Sequence, residues 1–261
     1  MTSTYTMTSP DLTNKTILVT GAGDGIGKAA AMAYARQQAQ VILLGRTQEK
    51  LEAVYDAIMA EGLPEPIIHP LDLATATQDD YNALGEAITS QFGKLDGLLH
   101  NASILGGTSP IQYYPAENWD KVIQVNVNAV FKLTRATLAA LQAAEDARIL
   151  LTSSSVGRQG RAYWGAYAVS KFATEGFMQV LADELGNTSN VRVNTINPGA
   201  TRTSMRRAAY PAEDPATLPT PESLMPAYLY LMAPQSQHLH GEAIEIRELL
   251  ARINNDVASA N

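Results

Sequence analysis

The sequence predicts an α/β fold: a doubly wound parallel sheet of about seven strands with helices on both faces. Three observations carry this expectation. Short apolar runs alternate with helix-length segments along most of the chain. The runs are near-continuously apolar, as strands covered on both faces are. A glycine-rich turn follows the first run and opens the first helical segment.

In order, Thr16-Ile17-Leu18-Val19-Thr20 reads as the first strand, followed by an Ala-rich helix from Ile26 to Gln38. Val41-Ile42-Leu43-Leu44 is the second, before a charged helical pattern from Gln48 to Ala60. Ile67-Ile68-His69-Pro70-Leu71 is the third, before a helix reaching about Phe92. Leu95 to His100 is the fourth, with two helix patterns after it, from Ala116 and from Val130 to Ala144. Arg148-Ile149-Leu150-Leu151 precedes a long helix from about Gly165 to Leu185. Val191 to Ile196 and a short run, Ala243-Ile244-Glu245-Ile246, complete the set. Segment 204–226 is rich in Pro, Ala and charge without strand periodicity and is expected to be a substrate lid. Residues 1–13 are expected as a flexible N-terminal tail and 248–261 as a C-terminal tail, within a single domain.

The chain of 261 residues has no cysteine, which excludes disulfides, cysteine-ligated zinc and thiol nucleophiles. No apolar run reaches the roughly 18 residues of a membrane span. No apolar core of a signal peptide is visible in the polar first fifteen residues, so the cytoplasm is the expected location. A net charge of −7 opposes general nucleic-acid binding. His238 and His240 form an H-x-H pair with no evident further ligand, so a solvated loop is expected there and no metal.

Tyr167 and Lys171 stand four residues apart, and Ser154 lies thirteen residues before the tyrosine. On a helix, i and i+4 share a face. A phenol has a reference pKa of about 10, and a neighbouring cation favours its ionised form. Reaching neutrality needs a shift of about three units, or about 4 kcal/mol. One lysine supplies that only in a partly dry pocket with help, such as a bound cationic ring. The same spacing also occurs on solvated surfaces, so the trio gains meaning from its company.

That company begins with Thr20-Gly21-Ala22-Gly23-Asp24-Gly25-Ile26-Gly27, between the first strand and the first helix. Glycines there let the backbone approach a pyrophosphate, and the helix N-terminus supplies donors and partial positive charge. The spacing is G-x-x-x-G-x-G at Gly21, Gly25 and Gly27; G-x-G-x-x-G fails at Ile26 or Lys28. A nucleotide-triphosphate loop fails because Ala22 and Ala29 occupy two of its required positions. After the second strand comes Arg46, where an acid would read the ribose of NAD. A guanidinium instead suits the 2′-phosphate, so NADP(H) is favoured over NAD(H). Asp24 places a negative charge in the same loop and works against that preference.

These residues together resemble the short-chain dehydrogenases/reductases, in their single-domain Rossmann-like branch, over roughly residues 14 to 246. The resemblance implies a cofactor loop at Thr20 to Gly27 and an adenine-contacting Asp72 with Leu73 beside it. It implies that His100-Asn101-Ala102-Ser103 stands for the family's Asn-Asn-Ala-Gly segment. It places the catalytic asparagine at Asn126, holding a helix bend and a water of the proton relay. The catalytic serine falls at Ser154, within Ser153-Ser154-Ser155-x-Gly157, and Pro198-Gly199-Ala200-Thr201-Arg202-Thr203 contacts the nicotinamide carboxamide. Tyr167 is then the acid–base, and Lys171 both tunes it and grips the nicotinamide ribose. More closely, the chain is similar to bacterial YciK-like oxidoreductases through Gly45-Arg46, Ser153 to Arg161, Gly165-Ala166-Tyr167 and Phe172 to Gly176.

The expected activity is hydride transfer between NADP(H) and a small carbonyl or alcohol substrate. A cofactor-binding scaffold without turnover is the alternative, which the complete Ser154/Tyr167/Lys171 set disfavours. Two departures stand out. Ser103 replaces glycine, which implies strain if that position needs a positive φ. Arg247-Glu248-Leu249 follows the last strand where the family has a glycine pair often used in the tetramer, which leaves the oligomer open between dimer and tetramer. The helices from Val130 and Ala168 are candidate dimer faces. Trp164, Tyr163, Met205, Tyr210 and Leu218 are open between pocket and packing roles; Met225, Leu229 and Met232 read as core. Arg158, Arg161, Arg202 and Arg206 suggest an anionic substrate, set against the alternative that they are surface charges.

Overall fold

The computed structural model describes residues 10–186 and 188–259. Seven parallel strands form one sheet in the order β3-β2-β1-β4-β5-β6-β7. They are β1 (Thr16–Thr20), β2 (Gln40–Gly45), β3 (Ile67–Pro70), β4 (Gly97–His100), β5 (Ala147–Thr152), β6 (Val191–Asn197) and β7 (Ala243–Glu245). Between them run α1 (Gly25–Arg36), α2 (Gln48–Ala60), α3 (Gln78–Phe92), α4 (Ala116–Ile123), α5 (Ala129–Gln142), α6 (Gly165–Gly186), α7 (Ser204–Ala209) and α8 (Met225–Met232), and α9 (Ile246–Ser259) follows β7. The order reverses at β1, where β1 pairs with both β2 and β4. Crevices for ligands open at such a switch point, beyond the carboxyl ends of the strands.

The strands are apolar on both faces because both faces are covered. In β1, Ile17 and Val19 join one core with α1, α2 and α8, while Leu18 joins the other with α3, α5 and α6. Alternation along a strand assigns each residue its side. Turn chemistry sets several helix ends. Thr77 and Asp80 form a reciprocal capping box at α3, and Gly93 ends that helix with φ +70°.

Three segments differ from expectation. Residues 10–13 are anchored rather than loose: Leu12 is fully buried and its N–H donates to the Gln37 carbonyl (3.0 Å). The rest of the expected N-terminal tail, 1–9, lies outside the described residues. Within the expected C-terminal tail, 248–259 belongs to helix α9, and 260–261 lies outside the described residues. Ile246 and Ile253 are buried, and Leu249 and Leu250 pack on the same core. The segment 204–226 is built of α7 and two short helical turns, Pro215–Thr217 and Pro221–Leu224, and enters α8 at Met225. Among the described residues no helix is long and apolar enough to cross a membrane.

Candidate active site

A cleft of about 620 Å³ opens at the carboxyl ends of β1, β2 and β4 to β6 and is roofed by α7. Beneath its floor is Thr20, whose hydroxyl donates to the Leu99 carbonyl (3.3 Å) and accepts from the N–H groups of Asn101 and Ala102 (both 3.0 Å). This side chain binds the ends of β1 and β4 together and fixes both loops that leave them. Gly21 and Gly25 adopt φ of +68° and +52°, where a side chain is strained. A Cβ on Gly27 would stand 2.2 Å from the Gly21 carbonyl oxygen, so the turn closes onto α1 only with glycine there.

Gly21, Gly23, Asp24, Gly25 and Ile26 line the cleft, as do Asp72, Leu73, Asn101, Ala102 and Ser103. Pro198, Gly199, Thr201 and Thr203 line its far side, where Thr203 also caps α7 by accepting from the Arg206 N–H (3.1 Å). Thr20 and Gly27 stand behind this lining and shape it from within. Ser103 is outside the left-handed region, so the strain anticipated for it is absent.

Arg46 lies exposed at the end of β2 and lines the cleft; among the described residues it pairs with no carboxylate. Asp24 does not confront it as an open charge. Its carboxylate caps Gly25 N (2.7 Å), accepts from Lys50 Nζ (2.8 Å) and accepts from Ser204 Oγ (3.3 Å). The Lys50 ammonium, its largest influence, keeps Asp24 ionised. Lys50 also lines the cleft and was not singled out from the sequence, although it lies only four residues after Arg46, in the first turn of α2.

Tyr167 and Ser154 line the cleft, whereas Lys171 and Asn126 lie buried behind it. Burial pushes the Tyr167 phenol up to about 12, with the Ser154 and Ser103 hydroxyls pulling the other way. Burial also drives Lys171 down to about 8, opposed by the Glu175 carboxylate. The lysine is not among the groups that lower the tyrosine here, in keeping with the expectation that one lysine needs further help. Its Nζ donates to the Thr152 carbonyl (2.8 Å) and lies 5.3 Å from the centre of the tyrosine ring. Desolvation disfavours the ionised form of each.

Asn126 occupies a π-helical turn, Gln124–Asn128, between α4 and α5. Such turns recur at functional sites. Its amide accepts from Ile104 N (2.9 Å) and donates to the Ile104 carbonyl and to Ser170 Oγ (both 3.0 Å). Ser170 Oγ donates to the Tyr167 carbonyl (2.7 Å). The asparagine thus holds the loop after β4 against the turn of α6 that carries the tyrosine.

The outer wall is apolar and aromatic. Trp164 lies 5.7 Å from Tyr167 and 5.9 Å from Tyr210, centre to centre. Met205 also lines the cleft, while Tyr163 and Leu218 do not. Met225 and Met232 are core residues, with Leu229 partly buried against them. His240 is not a solvated loop residue: Nδ1 accepts from Val193 N (3.2 Å), and Nε2 lies 2.7 Å from the Ala182 carbonyl oxygen.

Residues 15–214 match the short chain dehydrogenase family model. The chain belongs to the short chain dehydrogenases. It is an oxidoreductase of that family, and its seven-stranded sheet is the fold of its structural neighbours. It is 52% identical over 230 residues to the uncharacterized oxidoreductase YciK of Escherichia coli, covering 88% of this chain and 90% of that one. A short chain dehydrogenase structure from Pseudomonas syringae superposes with a TM-score of 0.90 at 55% identity, covering 93% of this chain and 98% of that one. Another, from Escherichia coli CFT073 and complexed with NADPH, gives 0.89 at 50% identity, covering 92% and 100%.

The cleft fits a nicotinamide dinucleotide. Glycines at positions 21, 23 and 25 leave the α1 N-terminus open to the cleft, and the nearby acid is neutralised by Lys50.

Proposed function

We propose that the chain transfers a hydride between NADP(H) and a carbonyl or alcohol substrate, with Tyr167 as the acid–base. The observation that carries this reading is the meeting of the Tyr167 phenol and Ser154 in the same cleft as the glycine turn and Arg46. The dinucleotide, when bound, supplies or accepts the hydride and brings the positive ring charge that favours phenolate. Gly21 to Ile26 hold its phosphates at the start of α1, Arg46 selects the 2′-phosphate, and Asp72 with Leu73 borders the adenine. Thr201, Thr203 and the Pro198-Gly199 turn border the nicotinamide, and Lys171 serves its ribose. Ser154 donates to the substrate oxygen and fixes its position. Tyr167 gives that oxygen a proton in reduction and takes it back in oxidation. Lys171 and Asn126 stand behind the tyrosine, where they orient it and pass the proton inward.

The test is Tyr167→Phe. Turnover falls by at least about a hundredfold, the usual worth of a positioned acid–base, while NADPH binding by fluorescence stays near wild type. Wild-type-like turnover in this variant would remove Tyr167 from the mechanism. NADPH binding without turnover of any carbonyl by the wild type would favour a scaffold.

We also propose that subunits pair through the α5/α6 face in the cytoplasm. Phe131, Val169, Phe172 and Val180 are exposed there, about half of each surface open.

A further inference from the structure

The four arginines noted in the sequence separate into two kinds. Arg158 is held by Glu175 (3.4 Å) and by Glu245. Arg206 is paired twice with Glu213 (2.6 and 2.7 Å) and lies 3.8 Å over the Tyr210 ring. Arg202 also meets no carboxylate among the described residues, but it donates to the carbonyls of Ala216 and Leu218 (3.2 and 3.1 Å) and lies outside the cleft. Arg161 is different. It lines the cleft and donates from Nη1 to the Tyr210 hydroxyl (2.8 Å), and among the described residues it pairs with no carboxylate.

A guanidinium has five N–H donors and a permanent charge. A neutral phenol uses one donor and offsets none of the charge. The remaining donors stand at the rim of an aromatic wall in which Trp164 contacts both Tyr167 and Tyr210. Leu105, Val156, Trp164 and Met205 give the same cleft apolar lining, and contacts run from Tyr167 through Trp164 and Tyr210 to Arg161. One planar guanidinium matches one carboxylate through two parallel hydrogen bonds. A dianionic phosphate would call for more cationic partners than this rim offers.

We infer that the substrate is a carbonyl compound with an aromatic or apolar body and a terminal carboxylate, and that Arg161 reads the carboxylate. The inference rests on the reading of the cleft as a carbonyl/alcohol site. The carboxylate takes no part in the redox step; it sets which carbonyl is presented to Tyr167.

The experiment uses the full chain saturated with NADP⁺, in a Trp119→Phe background so that Trp164, the other of the two tryptophans, reports binding. The probes are 3-benzoylpropanoate, its methyl ester, and the matching phosphonate. The expected result is tighter binding of the acid than of the ester, with the preference shrinking as salt rises. In Arg161→Met the acid-to-ester affinity ratio falls by about tenfold, the worth of one charge-assisted pair of about 1.4 kcal/mol, and Arg161→Lys recovers part of it. Tyr210→Phe keeps the preference, since it removes the phenol and not the charge. Equal binding of acid and ester, no acid binding at millimolar concentration, an unchanged ratio in Arg161→Met, or a stronger grip on the phosphonate each overturn the inference. Because binding is read without turnover, a failure of hydride transfer leaves this result legible and indicts the proposed activity alone.

Discussion

The Lys171 ammonium stands 5.3 Å from the centre of the Tyr167 ring and is spent on the Thr152 carbonyl. Both side chains are buried, and each is pushed toward its neutral form: the phenol up to about 12, the amine down to about 8. The protein without cofactor does not hold a phenolate–ammonium pair. In the proposed mechanism, the positive charge that favours the phenolate arrives with the dinucleotide.

This arrangement carries a sign that stability measurements can read. Lysine ordinarily titrates near 10.5, and in the fold Lys171 does so at about 8. Between those values the unfolded chain binds a proton that the folded chain does not, so the Lys171 contribution to stability rises with pH. Below about pH 8 both states are protonated, and the cost of burying the charge is fully present. Urea unfolding of the cofactor-free protein at pH 8, 9 and 10 is therefore expected to show wild type gaining on Lys171→Met as pH rises. The upper limit stays at 10, because Tyr167 begins to act in the opposite direction above the ordinary phenol value. A flat or falling difference would mean that Lys171 is not desolvated as described.

Ser103 is where the family resemblance predicts glycine. Its hydroxyl bears on the Tyr167 phenol together with that of Ser154, and both lower its pKa. Ser103→Gly removes one of the two, so the tyrosine ionises at higher pH. The alkaline rise of alcohol oxidation is expected to move up, with about a fivefold loss of kcat/KM at fixed pH below it, the worth of a hydrogen bond of about 1 kcal/mol. A simple loosening of the loop would lower the rate without moving the profile, which separates the two explanations.

In the proposed reading, cofactor choice rests on Arg46, with Lys50 four residues later on α2. Arg46→Ala is expected to weaken NADPH by about 10- to 100-fold, in line with about 1.5 to 3 kcal/mol for a hydrogen-bonded charge, and to leave NADH nearly untouched. Asp24 holds Lys50 at 2.8 Å. Asp24→Asn releases that ammonium toward the phosphate and should tighten NADPH several-fold. An unchanged NADPH-to-NADH ratio in Arg46→Ala would show that the 2′-phosphate is read elsewhere.

The strands were legible because a sheet covered on both faces writes itself as uninterrupted apolar runs; β1 is placed at the expected residues, Thr16–Thr20. The glycine turn was legible because its spacing answers to backbone geometry. The π turn at Gln124–Asn128 was not, since adding one residue to a helical turn leaves both flanking apolar patterns intact. Helix α9 was legible and overlooked: Ile246, Leu249, Leu250 and Ile253 follow i, i+3, i+4, i+7, hidden by the charges between them. The division of the arginines into paired and unpaired depended on partners such as Glu175 and Glu245, which lie far from Arg158 in the chain. No local pattern encodes such contacts.

The face formed by α5 and α6 offers the last test. Phe131 and Phe177 meet edge to face with centres 6.5 Å apart, yet Phe131 remains 50% exposed and Phe172 46%. Two large apolar side chains open to water on neighbouring helices mark an association surface more often than a solvated one. Burying the open half of both in a symmetric contact would stabilise each by about 1 kcal/mol, and the two-fold operator doubles the gain. Phe172→Glu is expected to lower the solution mass by light scattering from a multiple of 28.0 kDa toward that of one chain. Its circular dichroism should remain that of the folded protein, because the side chain lies outside both cores. A wild type that already sediments as one chain would refute the pairing.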